Sequence, residues 1–344
     1  MLYMLYYNVA MMLYRSIRRC ATSRRGWLWV TSAITQFLVS AFVLSLYSSA
    51  ARADAPVVVA SFKPVQSLVA AIMEGVGTPV LIVKGAASPH SYALSPSDAQ
   101  ALQDARIIFW IGEGLETFLH KAIKTLPEGA KSVELAEVAG LTVLPVREGG
   151  IWDEHMHEGA EGEENAVAEH EPYDGHLWLD PVNAKLMAAA IATELSKADP
   201  ANAETYRLNG QKLEQKLGDL DREIALKLAP VKNTPFIVFH DAYQYFDRHY
   251  GLAGVGSITV NPELPPGAKR LSEIRDKIVA QQARCVFREP NFAPSLVDTV
   301  VADTDARTGM LDPEGAALDA GPDLYFQLMR NLTEALRACL ASSS

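Results

Sequence analysis

The 344-residue chain has few basic residues for its size. It holds 31 Lys and Arg against 41 Asp and Glu, a formal net charge of −10 at pH 7. Proteins that bind nucleic acid neutralise phosphates with Lys and Arg, so this balance excludes a nucleic-acid partner. An acidic surface instead raises the local concentration of cations.

Cysteine is also scarce. Cys20 lies near the N-terminus, which leaves Cys285 and Cys339 in the rest of the chain, and no Cys-x-x-Cys spacing occurs. In an exported protein, an even pair of cysteines favours a disulfide, here between Cys285 and Cys339. Two free thiols that act as metal ligands are the alternative.

Residues 1–53 contain no Asp, Glu or Lys, but they include six arginines around an uncharged apolar stretch at 26–51. The stretch leads to Ala51-Arg52-Ala53, a small-x-small pattern. This order predicts a signal peptide that is cleaved after Ala53, with an uncleaved membrane anchor as the alternative. Cleavage would leave 25 basic against 41 acidic residues. At this length, two lobes are favoured over one core.

After the signal peptide, short apolar runs alternate with helical segments. Val57–Ala60, Val80–Val83 and Arg106–Ile111 read as buried strands. Ser95-Pro96-Ser97-Asp98 is a capping signal with Pro at the first helical position, for a helix that runs to about Asp104. Strands that alternate with helices predict a parallel α/β lobe, here 54–199.

The second half of the chain repeats this pattern after a long helix. Residues 148–175 are rich in Gly, Glu and His, and we expect a mobile loop there. A linker helix is predicted over 200–230, and strands at 236–239, 257–260 and 285–287 predict a second α/β lobe over 231–344. The fold class is therefore two parallel α/β lobes joined by one long rigid helix. The apolar stripe of that helix has helical spacing and comprises Tyr206, Leu213, Leu217, Leu220, Ile224 and Leu228.

Three of the eight histidines lie at the ends of predicted elements. His90 lies in a turn-rich loop after a strand, His176 follows the acidic loop, and His240 directly follows an apolar strand. Ligands of parallel α/β sheets bind at the carboxyl ends of strands. Imidazole suits Zn²⁺, which takes about four ligands in a tetrahedron. Because the three histidines are far apart in sequence, the fold must assemble the site in the cleft between the lobes.

Three further histidines lie within the acidic loop: His155, His157 and His170. Among so many Glu residues they predict a weak metal-collecting surface, tethered near the cleft. The alternative is a solvated acidic loop in which these histidines have no role.

With these residues placed, the sequence resembles the zinc-uptake substrate-binding proteins of ABC importers (ZnuA type). Manganese-binding proteins and metal-binding adhesins belong to the same cluster. The resemblance covers nearly all of the chain after residue 53. The motifs that carry it are Gly85–His90, Ser95–Asp98, Gly175–Pro181, Phe239–Tyr243, Val260–Glu263 and Thr308–Pro313.

The resemblance implies two lobes on one long helix, a metal held by His90, His176 and His240, and the Cys285–Cys339 disulfide. It also implies a periplasmic monomer that delivers Zn²⁺ to a membrane permease with its ATPase. The fourth ligand stays open between Asp312, water and a loop histidine. Pro89 stands where some zinc members have Glu, and Asp312 stands where manganese members have a carboxylate.

A zinc enzyme is the rival from another class, since three histidines with an open position also suit catalysis. Asp241 or Glu263 would be its base, but no His-Glu-x-x-His motif occurs. We therefore predict no catalytic residue. A manganese importer component and a zinc-dependent adhesin remain alternatives within the same fold, and three histidines favour zinc over manganese.

Overall fold

A computed structural model describes residues 55–147, 173–260, 262 and 266–341. The predicted signal peptide at 1–53 lies outside these residues. So do the loop histidines His155, His157 and His170, and so does Glu263. Among the described residues, no helix has the length and apolar character needed to cross a bilayer.

The first lobe is built on a four-stranded parallel sheet in the order β2-β1-β3-β4. Every residue of β1 and β3 is buried, which is why these two strands read as apolar runs in the sequence. The elements are β1 (Val58–Ala60), α1 (Lys63–Ile72), β2 (Val80–Leu81), α2 (Pro96–Asp104), β3 (Ile107–Trp110), α3 (Leu119–Ile123) and β4 (Lys131–Glu134).

The start of α2 is fixed by the capping box that the sequence predicts. Ser95 Oγ accepts a hydrogen bond from the Asp98 backbone N–H, and the Asp98 carboxylate accepts one from the Ser95 N–H. The box satisfies two amide groups that the helix leaves unpaired. It therefore also determines where the preceding loop, which carries His90, ends.

Two helices follow the first sheet, α4 (Pro181–Ala198) and the 26-residue α5 (Ala203–Leu228). At 1.5 Å per residue, α5 is about 40 Å long. Its buried residues include every member of the predicted apolar stripe, together with Gly210. The stripe packs α5 against α4, α1 and the C-terminal helix α9 (Leu324–Leu340).

The second lobe repeats the topology of the first. Its parallel sheet has the order β6-β5-β7-β8. In each lobe the chain therefore forms an inner strand first, then the edge strand beside it, and then crosses to the other side of that inner strand. Such a crossing opens a crevice at the carboxyl ends of the two inner strands. The elements are β5 (Phe236–His240), α6 (Gln244–Tyr250), β6 (Gly254–Thr259), α7 (Ala268–Ala280), β7 (Cys285–Arg288), α8 (Ser295–Val301), β8 (Arg307–Met310) and α9.

The two parallel α/β lobes of the predicted fold class are confirmed. A single hydrophobic cluster includes residues of the first sheet, of α5 and α9, and of one face of the second sheet. The other face of the second sheet has its own smaller cluster around Ile237 and Ile258. The shared cluster means that apolar packing holds the two sheets together.

Two details differ from the sequence prediction. The predicted mobile loop extends to Gly175, whereas Tyr173 pairs with Pro145 in an isolated antiparallel bridge and Asp174 is buried. The edge strands β4 and β8 were not predicted, because their partly exposed residues form no apolar run. The predicted disulfide between Cys285 and Cys339 is confirmed, and it joins the first residue of β7 to α9.

Candidate metal site

The structure brings together the three histidines that the sequence singles out. His90 lies in the loop between β2 and α2, and His176 directly precedes a short 3-10 helix at Leu177–Leu179. His240 is the last residue of β5, an inner strand of the second sheet. Two histidines thus come from the first lobe and one from the second.

The ring nitrogens of the three histidines converge on one point. His176 Nε2 lies 3.3 Å from His90 Nε2 and 3.3 Å from His240 Nε2. One ring nitrogen from each histidine lies within 4.8 Å of the other two, and this is the group among the described residues that can hold a metal ion. His176 and His240 are buried and His90 is partly exposed, so the site opens to solvent on the His90 side.

Asp174 fixes the orientation of the His176 ring. Its Oδ1 lies 2.7 Å from His176 Nδ1 and also accepts the His176 backbone N–H at 3.0 Å. Asp174 is itself held by Gln244 Nε2, and its carbonyl accepts a hydrogen bond from the Tyr245 hydroxyl. A carboxylate on Nδ1 directs Nε2 toward the metal position and makes it a stronger donor.

Glu289 does the same for His240. Its Oε2 lies 2.6 Å from His240 Nδ1, and both side chains are almost fully buried. Glu289 directly follows β7, the strand beside β5, so the two residues meet at the carboxyl ends of the inner strands. Neither Glu289 nor Asp174 was predicted from the sequence as part of the site. The sequence features that could have revealed them are a carboxylate directly after a strand, for Glu289, and an Asp-x-His spacing, for Asp174.

The pKa values of the three imidazoles are shifted in different directions. Burial lowers the pKa of His90 and of His176 well below 6.5, and the neighbouring imidazoles lower it further. Burial also acts to lower the pKa of His240, but the nearby carboxylates, Glu289 foremost and then Glu314 and Asp241, together outweigh it and raise that pKa above 6.5. His90 and His176 are therefore neutral near pH 7, and His240 is the imidazole of the three that binds a proton most readily.

Asp312, the predicted fourth ligand, lies two residues after β8. Its Oδ1 accepts backbone N–H groups from Gly315 at 2.8 Å and Ala316 at 3.0 Å. It is not part of the three-histidine group in the described region. Glu314, which was not predicted from the sequence as a site residue, is buried, and burial raises its pKa to about 8. The segment 312–314 thus brings two carboxyl groups to this end of the second sheet.

These features define a class of protein. Two parallel α/β lobes present convergent imidazole nitrogens from both sides of one cleft, with two of the rings fixed by carboxylates. Such a donor set suits a borderline-soft divalent cation such as Zn²⁺. The molecule is a two-lobed binding protein whose cleft can hold a metal ion.

Comparison with known proteins identifies the family. The family model described as zinc-uptake complex component A, periplasmic (ZnuA), matches residues 58–339. The high-affinity zinc uptake system protein ZnuA of Brucella suis biovar 1 (strain 1330) is 50% identical over 327 residues, covering 89% of this chain and 98% of its own. The protein of the same name from Yersinia pestis is 36% identical over 322 residues, 91% of this chain and 98% of its own. The chain belongs to the ZnuA family.

Solved structures agree with the fold. A crystal structure of ZnuA superimposes with a TM-score of 0.69 at 25% identity and covers 84% of this chain and 100% of its own. Because this likeness includes both lobes, it supports the arrangement of the two sheets described above.

Proposed function

We propose that this protein binds Zn²⁺ in the cleft through His90, His176 and His240 and delivers it to an importer for high-affinity zinc uptake. The observation that carries the proposal is the convergence of the three Nε2 atoms, with His176 and His240 backed by Asp174 and Glu289. Nitrogen donors outnumber oxygen donors in this site, which favours Zn²⁺ over Mn²⁺.

A carboxylate of the 312–314 segment completes the coordination in this proposal. Asp312 is the ligand that the resemblance implies, and Glu314 competes with it because it is buried and interacts electrostatically with His240. Asp312→Asn and Glu314→Gln separate the two. The true ligand is the residue whose replacement weakens zinc binding more.

The family places the protein in the periplasm, where it would be a monomer that meets a membrane permease with its ATPase. Residues 1–53 would be the cleaved export signal. The proposed domain boundaries are a first lobe at 54–199, a linker helix at 200–230 and a second lobe at 231–344. Two lobes joined by packed helices suit a carrier that encloses one ion.

A binding role without catalysis also fits the groups around the site. Asp174 and Glu289 are carboxylates near the cluster, but each is occupied by the Nδ1 of a histidine. Asp241, the candidate base, forms an ion pair with Arg147. Asp174, Glu289 and Asp241 are therefore not free to take a proton from water, as the base of a hydrolytic zinc site must be.

Isothermal titration with Zn²⁺ tests the proposal. The metal-free protein should bind one ion tightly, and His176→Ala should abolish that tight binding, because His176 lies at the centre of the group. His120→Ala is the matched control, since His120 lies on α3 outside the group. Equal affinity for wild type and His176→Ala would refute the proposed site.

The loop histidines His155, His157 and His170 are proposed as auxiliary zinc ligands that feed the cleft. Pro145 and Tyr173 pair in an antiparallel bridge, so the two flanks of this segment lie side by side. We therefore expect that a short linker can replace residues 150–172 without moving Asp174. This deletion should preserve the tight site and lower the total number of zinc ions bound. A full-length variant with the three histidines changed to Ser separates the effect of the ligands from that of the deletion. If the tight site were lost, the loop would supply a primary ligand.

A further inference from the structure

A buried lysine of the first lobe reaches the metal-site loop of the second. Lys63 is the first residue of α1 and is only 8% exposed. Its Nζ donates hydrogen bonds to three backbone carbonyls, those of Gly315 at 3.0 Å, Ala316 at 2.8 Å and Leu318 at 2.9 Å. An ammonium group has three donors, so one side chain uses its full capacity on a single loop.

That loop is the continuation of the segment that carries Asp312 and Glu314. The backbone of Gly315 and Ala316 is held on both sides. Asp312 Oδ1 accepts hydrogen bonds from their N–H groups, and the Lys63 ammonium donates hydrogen bonds to their carbonyl oxygens. The conformation of residues 312–318 is therefore set jointly by Asp312 within the loop and by Lys63 across the lobe boundary.

Nearby carboxyl groups and backbone carbonyls favour a charged side chain at Lys63. Burial lowers the pKa of the Lys63 ammonium, and the carboxyl groups of Asp312, Asp319 and Glu314 act in the opposite direction. A buried charge is costly unless it is paired and hydrogen-bonded. An apolar residue of the same length would fill this space without that cost. It would, however, remove a donor from the carbonyls of Ala316 and Leu318 and leave that of Gly315 with only the Leu318 N–H.

We propose that Lys63 is a positioning residue. From the first lobe it fixes the loop 312–318 of the second lobe, and it thereby sets where the carboxylate of that loop meets the metal. The inference rests on the proposed function, since it assumes that zinc binds at the three histidines. It assigns to Lys63 no contact with the metal itself.

Removal of the ammonium should loosen the loop and leave the three histidines in place. Zinc would still bind, but the oxygen ligand would be held less firmly, so the ion would leave faster. Changes to groups that orient metal ligands typically reduce affinity by roughly 10- to 100-fold. We expect about a tenfold faster zinc release, the lower end of that range, because only one of four ligands is affected.

The test compares Lys63→Met with Ser67→Ala. Ser67 lies one turn further along α1, and its hydroxyl accepts a hydrogen bond from the Tyr325 backbone N–H at 3.0 Å. Ser67→Ala therefore also removes a hydrogen bond between α1 and the C-terminal part of the chain. It removes none to the loop 312–318, which makes it the control. Two readouts are recorded for the protein and both variants. These are the rate of zinc transfer to a chelator and the visible spectrum with Co²⁺ as a probe of coordination geometry.

The proposal predicts faster zinc release and an altered Co²⁺ spectrum for Lys63→Met, with Ser67→Ala unchanged in both. Equal effects of the two variants would mean that Lys63 contributes only general packing, and no effect of Lys63→Met would mean that it does not position the loop. Either result overturns the proposal. If Lys63→Met does not fold, Lys63→Arg replaces it, because it keeps the charge but cannot direct three donors in the same way.

His176→Ala, measured in parallel, keeps this result separate from the proposed function. If His176→Ala binds zinc as the wild type does, the histidine site is wrong and the inference about Lys63 fails with it. If His176→Ala loses the ion while Lys63→Met matches the wild type in release rate and spectrum, the inference alone fails.

Discussion

His176 and His240 each have a buried carboxylate behind the ring, and this pairing determines how the site handles protons and metal. In both residues Nδ1 faces the carboxylate and Nε2 faces the cluster. Burying a carboxylate alone would cost free energy, but the hydrogen bond to the imidazole compensates for that cost. The carboxylate gives each ring a single orientation. The protein therefore does not have to fix the positions of these two ligands when the metal binds.

Glu289→Gln should weaken zinc binding. The amide oxygen of Gln can still accept a hydrogen bond from His240 Nδ1, but the negative charge that strengthens Nε2 as a donor is lost. We expect a loss of affinity of about tenfold or more at pH 8, measured by competition with a chelator. Glu214→Gln, an exposed change on α5, is the control. An unchanged affinity for Glu289→Gln would show that the carboxylate is not part of the metal site.

Zinc affinity should fall as the pH is lowered, and the decline should begin above pH 6.5. Zinc competes with the proton on His240, whose pKa is raised above 6.5 by Glu289, while His90 and His176 are already neutral. Below the pKa of His240, zinc has to displace the proton of that imidazole. Titrations from pH 5.5 to pH 8.5 would show this slope.

The same series with Glu289→Gln provides the control. Without the carboxylate, burial lowers the pKa of His240, so the decline should move to lower pH. The difference in affinity between wild type and variant should therefore shrink as the pH falls. A pH profile that does not move would mean that another group binds the competing proton.

The three histidines could be predicted from sequence, but their carboxylate partners could not. His90, His176 and His240 each follow or precede a recognisable element, so their placement is a local property of the sequence. Glu289 contacts His240 only because β7 lies beside β5 in the sheet, and this neighbour relation depends on the order of the strands. The order of the strands cannot be read from the residue pattern of a single sequence.

At the scale of elements, burial explains which strands the sequence reveals. The inner strands β1, β3 and β5 are buried along their whole length and appear as apolar runs. The edge strand β8 alternates between half-buried and exposed residues and contains Arg307 and Gly309. Its pairing with β7 comes from backbone hydrogen bonds, which residues of almost any type can form.

The disulfide should stabilise the second lobe by linking β7 to α9. Cys285 and Cys339 are 54 residues apart, and the chain-entropy model gives about 4 kcal/mol for a closed loop of this length. The double change Cys285→Ser with Cys339→Ser should lower the free energy of unfolding by up to that amount, measured with urea. Reductant should destabilise the wild type but not the double variant. No effect of reductant on the wild type would contradict this account.

At the scale of the whole molecule, buried hydrogen bonds join the lobes beside the metal site. Trp178 Nε1 donates to the Pro313 carbonyl at 2.9 Å, and the Tyr325 hydroxyl donates to the Trp178 carbonyl at 2.7 Å. Lys63 adds three more, and the hydrophobic cluster continues from one lobe to the other. Opening the cleft widely would break these contacts together, so we expect zinc binding to move the lobes little.

The most direct test of the central claim is a crystal structure of the zinc-loaded protein with anomalous data at the zinc edge. Our account predicts one strong peak in the cleft, about 2.0 to 2.1 Å from Nε2 of His90, His176 and His240. Asp174 and Glu289 should remain on the Nδ1 atoms. A strongest peak away from these three rings, or zinc bound through Nδ1, would contradict the account.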